Sequence, residues 1–138
     1  MLDVNALLAL AWPNHQFHAA VLARLDRQPA PQWATCALTQ LGFVRLSSNP
    51  NIVEVRKTPA EAVALLADLI GDRQHVYLEA LPALPQTAGV FRHLLGHQQV
   101  TDAYLLGVAE ASGATLLTLD RRLAPPGTMR AHLEVVEL

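Results

Sequence analysis

Residues 101–120, "TDAYLLGVAEASGATLLTLD", constrain the fold more than any other part of the chain. The first half places Tyr104 and Val108 on one helical stripe and ends at Gly113, as an amphipathic helix does. The second half, 114–120, is apolar at both odd and even positions, which is typical of a strand buried on both faces of a parallel sheet. A helix that leads directly into such a strand indicates an α/β fold.

The rest of the chain continues this alternation of strands and helices. Strands are predicted for a short opening segment before Asp3 and for residues 33–36, 75–81, 114–120 and 133–138, the last at a sheet edge. Helices are predicted after Asp3 and over residues 14–28, 37–48, 58–71 (N-cap Thr58, stop Gly71), 86–96 and 101–113. We therefore expect one domain over residues 1–138, with a central, mostly parallel, twisted sheet flanked by helices on both faces.

Composition excludes several classes of protein. An apolar fraction of 51% and a charged fraction of 16% argue against a disordered chain. A formal charge of -2 excludes a strongly basic surface field, so a polyanion would be met by local arginines or bound cations. The single Cys36 cannot form an intramolecular disulfide and is expected in the core. Without a cationic leader or a membrane-spanning apolar run, we expect a cytoplasmic protein with no membrane partner.

Three aspartates that are far apart in the sequence are predicted to meet at one edge of the sheet. Asp3 ends the first strand, and Asp120 ends the strand over residues 114–120. Asp102 begins the helix that precedes this second strand. Because ligand crevices in open α/β sheets form at the carboxyl ends of the strands, the three carboxylates are predicted to converge there.

A divalent cation would relieve the mutual repulsion of these carboxylates, which otherwise raise one another's pKa values. Mg²⁺ and Mn²⁺ prefer oxygen ligands and leave positions open for phosphate oxygens, so phosphodiester hydrolysis is the chemistry this set predicts. Each residue also has a structural explanation: Asp3 as a helix N-cap, Asp102 as a favourable charge at a helix N-terminus, and Asp120 as a turn residue.

Other polar residues are candidates for supporting roles near this edge. Asn5 either caps the first helix or orients Asp3 and a metal-bound water, and Thr101 is expected to cap its helix more than to take part in catalysis. The candidate RNA-contacting cations, each of which could instead be an ordinary surface residue, are Arg45, Arg121 and Arg122, with His93 and His97 nearby.

Three blocks of sequence together carry a family resemblance. They are "LDVNALLAL" (2–10), "LTQLGFVRLSSNP" (38–50) and "VTDAYLLGVAEASGATLLTLDRRL" (100–123). In this order they resemble the PIN-domain family, and within it the VapC-type toxins of bacterial toxin-antitoxin pairs. With matching helical spacers, the resemblance covers nearly the whole chain.

The resemblance implies a metal-dependent endoribonuclease that cuts structured RNA such as tRNA or rRNA and slows translation. By motif match, Asp3, Asp102 and Asp120 correspond to the family's catalytic and metal-binding acids, with Mg²⁺ or Mn²⁺ as cofactor. It also implies a homodimer, and a heterotetramer or larger complex with a cognate antitoxin whose C-terminal segment occupies the active-site groove.

Two features depart from the family pattern. Gln40 stands where many PIN domains place a glutamate, which predicts a weaker or more Mn²⁺-dependent second site. Only two residues precede Asp3, so either the first strand is very short or the native start lies upstream. Two alternatives stay open: a nuclease-like regulatory or binding subunit, and a haloacid-dehalogenase-type phosphatase with Asp3 as nucleophile, although Asn5 replaces that family's second acid.

Overall fold

The computed structural model describes most of the chain. The described residues are 1–27, 32–52, 55, 57–92, 94, 96–125 and 127–138. The loop expected over residues 28–32 lies outside them, apart from Gln32. His93 also lies outside them.

Helices and strands alternate along the described chain. The helices are α1 (Val4–Ala11), α2 (His18–Asp26), α3 (Ala37–Ser47), α4 (Pro59–Ile70) and α5 (Val100–Ala111), with 3₁₀ helices at Leu84–Phe91 and Gly127–His132. The strands are β1 (Trp33–Cys36), β2 (His75–Leu78), β3 (Leu116–Thr118) and β4 (Leu133–Val135).

The strands form two parallel pairs. β1 pairs with β2, with Trp33 opposite His75, and β3 pairs with β4, with Leu116 opposite Leu133. Parallel pairing requires a long crossover between partners, and the helices supply it. The parallel sheet predicted from the apolar runs is confirmed, and the last strand lies at an edge as expected.

The opening residues join the two pairs into one sheet. The backbone N–H of Leu2 donates to the carbonyl of Ala34 in β1 at 2.9 Å. On the other side, the N–H of Asp3 donates to Leu117 of β3 at 3.0 Å, and the N–H of Leu117 donates to Met1 at 2.8 Å. The first strand is thus very short, a single bridge at Leu2, and it lies between β1 and β3.

Both faces of the sheet are covered, because successive strand residues point to opposite sides. Leu116 packs in one core cluster with Leu105 of α5, and the next residue, Leu117, packs in a second cluster with Phe43 of α3. Cys36 is buried in the first cluster and is a free thiol. The layers predicted from sequence, a sheet between helices, are therefore present.

Helix α4 follows its predicted boundaries. The Oγ1 of Thr58 accepts from the N–H of Glu61 at 3.3 Å, and the carboxylate of Glu61 accepts from the N–H of Thr58 at 2.7 Å. This reciprocal capping box opens the helix, and Gly71 is its C-cap. Among the described residues, no helix has the length and apolarity needed to cross a bilayer.

Some predicted boundaries are wrong. The helix expected over residues 14–28 begins only at His18, because turns follow Pro13: the N–H of His15 donates to the carbonyl of Trp12 at 2.9 Å. The α-helix expected over residues 86–96 is instead a 3₁₀ helix at Leu84–Phe91, and it is interrupted at Thr87.

Two strands are also shorter than predicted. The strand expected over residues 75–81 ends at Leu78. The strand expected over residues 114–120 ends at Thr118, so Asp120 lies in the loop after the strand and does not end it. The chain turns here because the Oγ1 of Thr118 accepts a hydrogen bond from the N–H of Asp120 at 3.0 Å, two residues further on.

Candidate active site

Asp3 is a buried carboxylate at the end of the opening strand, where the chain enters α1. Its side chain is the N-cap of that helix: Oδ1 accepts from the N–H of Ala6 at 2.6 Å. Only 2% of Asp3 is exposed. Burial raises the pKa of Asp3 to about 6, and the negative charge of Asp102 adds to the rise, while hydrogen bonds from Thr118 and Ala6 oppose it. The prediction that Asp3 caps the first helix is confirmed. Capping does not remove the free-energy cost of burying its negative charge.

Thr118 connects two of the three acids and was not singled out from the sequence. Its hydroxyl donates to Oδ2 of Asp3, and its Oγ1 accepts from the backbone N–H of Asp120 at 3.0 Å. Thr118 is fully buried at the end of β3. The signal in the sequence is weak, since one hydroxyl inside an apolar run is common in a strand.

Asp102 lies in the first turn of α5 and is half-buried. Burial raises its pKa, and the charge of Asp120 raises it further, whereas the guanidinium of Arg122 lowers it. Since Asp102 in turn raises the pKa of Asp3, the three acids form a chain of electrostatic neighbours. These pairwise effects link Asp102 to each of the other two acids, and the convergence of all three on one metal site stays a prediction.

Asp120 is neutralised by an arginine two residues away. Its Oδ1 accepts from the backbone N–H and the Nε of Arg122 at 2.8 and 2.9 Å, and its Oδ2 accepts from Nη2 at 2.9 Å. These contacts hold the pKa of Asp120 below its ordinary range. The carboxylate is mostly covered, at 13% exposure, whereas the Arg122 side chain is 74% exposed and free to turn toward solvent.

The donor chemistry of these acids fits a hard divalent cation. Carboxylate oxygens are the ligands Mg²⁺ and Mn²⁺ prefer, and two of the three groups have raised pKa values that a cation would reverse. In the described part of the chain, however, no three His, Cys, Asp or Glu side chains are grouped closely enough to hold one metal ion. Two of the acids instead have partners within the chain: Thr118 and Ala6 donate to Asp3, and Arg122 donates to Asp120.

The expected supporting residues have separate positions. Asn5 is exposed in the first turn of α1, and the cap of that helix is Asp3, so the capping role considered for Asn5 is wrong. Thr101 is exposed and does not cap α5, since Gln99 is the N-cap residue there and makes no side-chain cap bond. Gln40, half-buried on α3, donates its amide to Oγ1 of Thr35 at 3.0 Å.

The candidate RNA-binding arginines differ in their surroundings. Arg45 is exposed in the last turn of α3. Arg121 is directed toward Glu137, with Nε 3.7 Å from the carboxylate, and both side chains are mostly exposed. Of the three, Arg122 is the one that the structure places in contact with a predicted catalytic acid.

A cavity of about 280 Å³ opens beside this edge of the sheet. Its lining includes Asn5, His15, Asp120 and Arg122. It therefore brings the predicted supporting residue Asn5 next to one predicted catalytic acid and one predicted phosphate contact.

Comparison with known proteins agrees with the fold. The sequence profile of the PIN domain matches residues 1–126. The chain belongs to the PIN-domain family.

Its relatives identify the branch of the family that it resembles. It is 38% identical to ribonuclease VapC39 of Mycobacterium tuberculosis over 125 residues, which are 90% of each chain. It is 38% identical to ribonuclease VapC38 of the same species over 120 residues, 87% of this chain and 84% of the relative. Ribonuclease VapC44 is 36% identical over 137 residues, 96% of each chain. The resemblance to VapC-type proteins stated from three sequence blocks is confirmed.

Proposed function

We propose that this chain is the toxin of a toxin-antitoxin pair and acts in the cytoplasm as a metal-dependent endoribonuclease. The observation that carries the proposal is the hydrogen-bonded link from Asp3 through the hydroxyl of Thr118 to the backbone of Asp120 at one edge of a PIN-domain sheet, where the charge of Asp102 also raises the pKa of Asp3. The ribonuclease names of its relatives support the same activity.

Asp3, Asp102 and Asp120 would hold Mg²⁺ or Mn²⁺ between them. When bound, the ion supplies an activated water and stabilises the charge that develops on the phosphate. The chain itself contributes the orientation of the acids: Thr118 holds Asp3 in one rotamer and fixes the backbone at Asp120. Asp3 must lose its proton before it can bind a cation, so its raised pKa predicts weaker cation binding below about pH 6.

Arg122 is suited to exchange its anionic partner, from the carboxylate of Asp120 to a phosphate of the RNA. In this structure it pairs with Asp120, and its mostly exposed side chain can turn to an RNA phosphate when a cation replaces it. Arg45 and Arg121 are proposed as further, weaker phosphate contacts because both are exposed. Asn5, beside Asp120 in the same cavity, is proposed to orient the acids and a bound water.

Gln40 and Thr101 are proposed to act only in support. A glutamine has no negative charge, and the amide of Gln40 is already engaged with Thr35. We therefore expect a second cation to bind weakly and to favour Mn²⁺. Thr101 is exposed next to Asp102, so we propose that it contacts the substrate. It does not cap α5.

The proposed partners are an RNA substrate such as tRNA or rRNA, a cognate antitoxin and a second copy of this chain, in a heterotetramer or larger complex. The pairing of Asp120 with Arg122 supports inhibition by an antitoxin, because it shows that an arginine can occupy this carboxylate with two parallel hydrogen bonds. An arginine from a partner could compete with the cation in the same way.

The test is RNA cleavage by the purified chain in Mg²⁺, in Mn²⁺ and in EDTA. We expect cleavage with either metal, none in EDTA, and a loss of at least about 100-fold in the variant Asp102→Asn. Asp68→Asn, an exposed aspartate on α4, is the matched control and should retain full activity. Cleavage that persists in EDTA and in Asp102→Asn would refute the mechanism, and RNA binding without cleavage would favour the regulatory-subunit alternative.

The phosphatase alternative is disfavoured by the surroundings of Asp3. A nucleophilic carboxylate must make room for a whole phosphate ester in line with one oxygen, whereas a small cation needs only a remaining lone pair. Asp3 is 2% exposed and both of its oxygens accept hydrogen bonds, so it lacks that room. An aspartyl-phosphate analogue is therefore not expected to form at this residue.

A further inference from the structure

A second cavity, which we call the Trp12 cavity, lies next to the candidate active site. Its volume is about 480 Å³, within the usual range for small-molecule pockets. It is continuous in its lining with the smaller cavity that holds Asp120 and Arg122, since Asn5, His15 and Gln16 line both. A ligand that contacts Asp120 in the smaller cavity would therefore lie beside the Trp12 cavity.

Trp12 supplies an aromatic wall with an unused donor. It is the C-cap residue of α1, and its indole Nε1 is buried without a hydrogen-bond partner among the described residues. A buried N–H without a partner is costly, so this end of the indole is less well satisfied than the rest of the wall. The ammonium of Lys57 lies 5.5 Å from the centroid of the Trp12 ring, which places a positive charge beside the same wall.

The remaining lining combines amides with apolar side chains. The amides of Asn5, Asn14 and Gln16 can donate and accept hydrogen bonds at one end. The apolar part of the wall comprises Leu8, Leu46, Ile52 and Val55. No carboxylate belongs to the described lining, so the cavity itself does not repel an anionic chain.

We propose that the Trp12 cavity binds one unpaired nucleobase of the RNA, adjacent to the phosphate that is cut. The inference rests on the proposed ribonuclease function and adds a determinant of base specificity to it. A nucleobase has a flat aromatic face that stacks on an indole, and an edge of acceptors and donors that side-chain amides can read. Lys57 would neutralise a flanking phosphate.

An apolar side chain of a protein partner would fit the aliphatic wall but would leave the polar groups unused. The three amides and the Lys57 charge would then stay without partners. These groups favour the nucleobase, and the protein segment becomes an outcome of the test.

Binding can be read directly at the two tryptophans of the full chain, labelled with 5-fluorotryptophan and observed by ¹⁹F NMR. The variant Asp102→Asn prevents cleavage during the measurement. Trp33 is the internal reference, because it is 4% exposed at the start of β1 and its indole donates to Asp72 at 3.2 Å. Substitution Trp12→Phe assigns the two resonances.

An RNA hairpin with a single-stranded loop should shift the Trp12 resonance and leave that of Trp33 in place. A fully paired RNA duplex of the same length should not shift it, because its bases are already stacked. If the hairpin shifts neither resonance, or if only a peptide of the antitoxin tail shifts that of Trp12, the proposal is overturned.

Specificity is measured by cleavage of a hairpin library with a randomised loop, followed by sequencing of the cut ends. The wild-type chain should show a base preference at one loop position, and Trp12→Ala and Asn14→Ala should flatten it. For the preferred loop, Trp12→Ala should lower kcat/KM by roughly 10- to 100-fold, as expected for the loss of one stacked base. Trp12→Phe, which keeps an aromatic face, should retain most of the rate.

The outcomes separate this inference from the function on which it rests. If the wild-type chain cuts no RNA with any metal but the hairpin still shifts Trp12, the ribonuclease proposal fails and the nucleobase site stands. If the wild-type chain cuts RNA with the same base preference as Trp12→Ala, the nucleobase site is refuted and the ribonuclease proposal stands.

Discussion

The substitution Asp3→Asn should stabilise the metal-free protein at neutral pH. The pKa of Asp3 is raised by burial from an ordinary 3.8 to about 6, so the folded state holds this proton more tightly than the unfolded chain does. Stability is then lost as the pH rises through this interval, and the loss is complete above the folded pKa. Asparagine carries no charge at any pH, so it avoids that loss.

The size of the effect follows from the two pKa values. Their difference corresponds to about 3 kcal/mol at pH 7.5 and to less than about 1 kcal/mol near pH 4. Asparagine is as good an N-cap as aspartate, so the bond from Ala6 is kept. It has one acceptor oxygen, so the Thr118 hydroxyl must turn to accept from the new amide, at a cost of up to about 1 kcal/mol. The expected net gain at pH 7.5 is therefore about 2 kcal/mol.

The measurement is urea unfolding in EDTA between pH 4 and 8, with the wild-type curve subtracted from that of Asp3→Asn. The difference should grow with pH, whereas the control Asp68→Asn should give a flat difference. Added Mg²⁺ should stabilise the wild-type chain and not Asp3→Asn. A variant that is less stable than wild type at pH 7.5 in EDTA would show that the buried charge at Asp3 is not a source of instability.

Three further substitutions test the contacts around the site. Thr118→Val should raise the pKa of Asp3 further, as measured by NMR titration, because it removes a hydrogen bond to the carboxylate. It should also lower the free energy of unfolding by about 1–3 kcal/mol, whereas Thr118→Ser should stay close to wild type. Arg122→Gln should strengthen Mn²⁺ binding several-fold by calorimetry, because it frees the carboxylate oxygens, and unchanged affinity would contradict this. Gly42→Ala should cost about 1–3 kcal/mol in thermal unfolding, because a Cβ there would lie 2.5 Å from Cγ2 of Val4, and Val4→Ala should relieve the cost.

The elements that position the site could be predicted because their signals are local. The capping box at Thr58 and the doubly apolar run before Asp120 each specify their own structure. The convergence of the acids then followed from a rule of topology, that parallel strands present their carboxyl ends at one edge. Neither step needed knowledge of side-chain packing.

The details of the site could not be predicted because they depend on packing and rotamers. Nothing in the sequence indicates that Thr118 binds Asp3, more than a hundred residues away, or that Arg122 folds back onto Asp120. The Trp12 cavity could not be predicted from the sequence for a related reason. Residues 14–17 were predicted to be helical, and the cavity exists because turns after Pro13 delay the start of α2.

We propose that Asp3, Asp102 and Asp120 together hold a catalytic divalent cation. It is tested most directly by crystals of the full chain grown with Mn²⁺, with the ion located by its anomalous scattering. We expect a peak within coordination distance, about 2.2 Å, of oxygens from at least two of these aspartates, with Arg122 turned away from Asp120. At saturating Mn²⁺, a peak elsewhere or no peak, with the Arg122 pair intact, would contradict it.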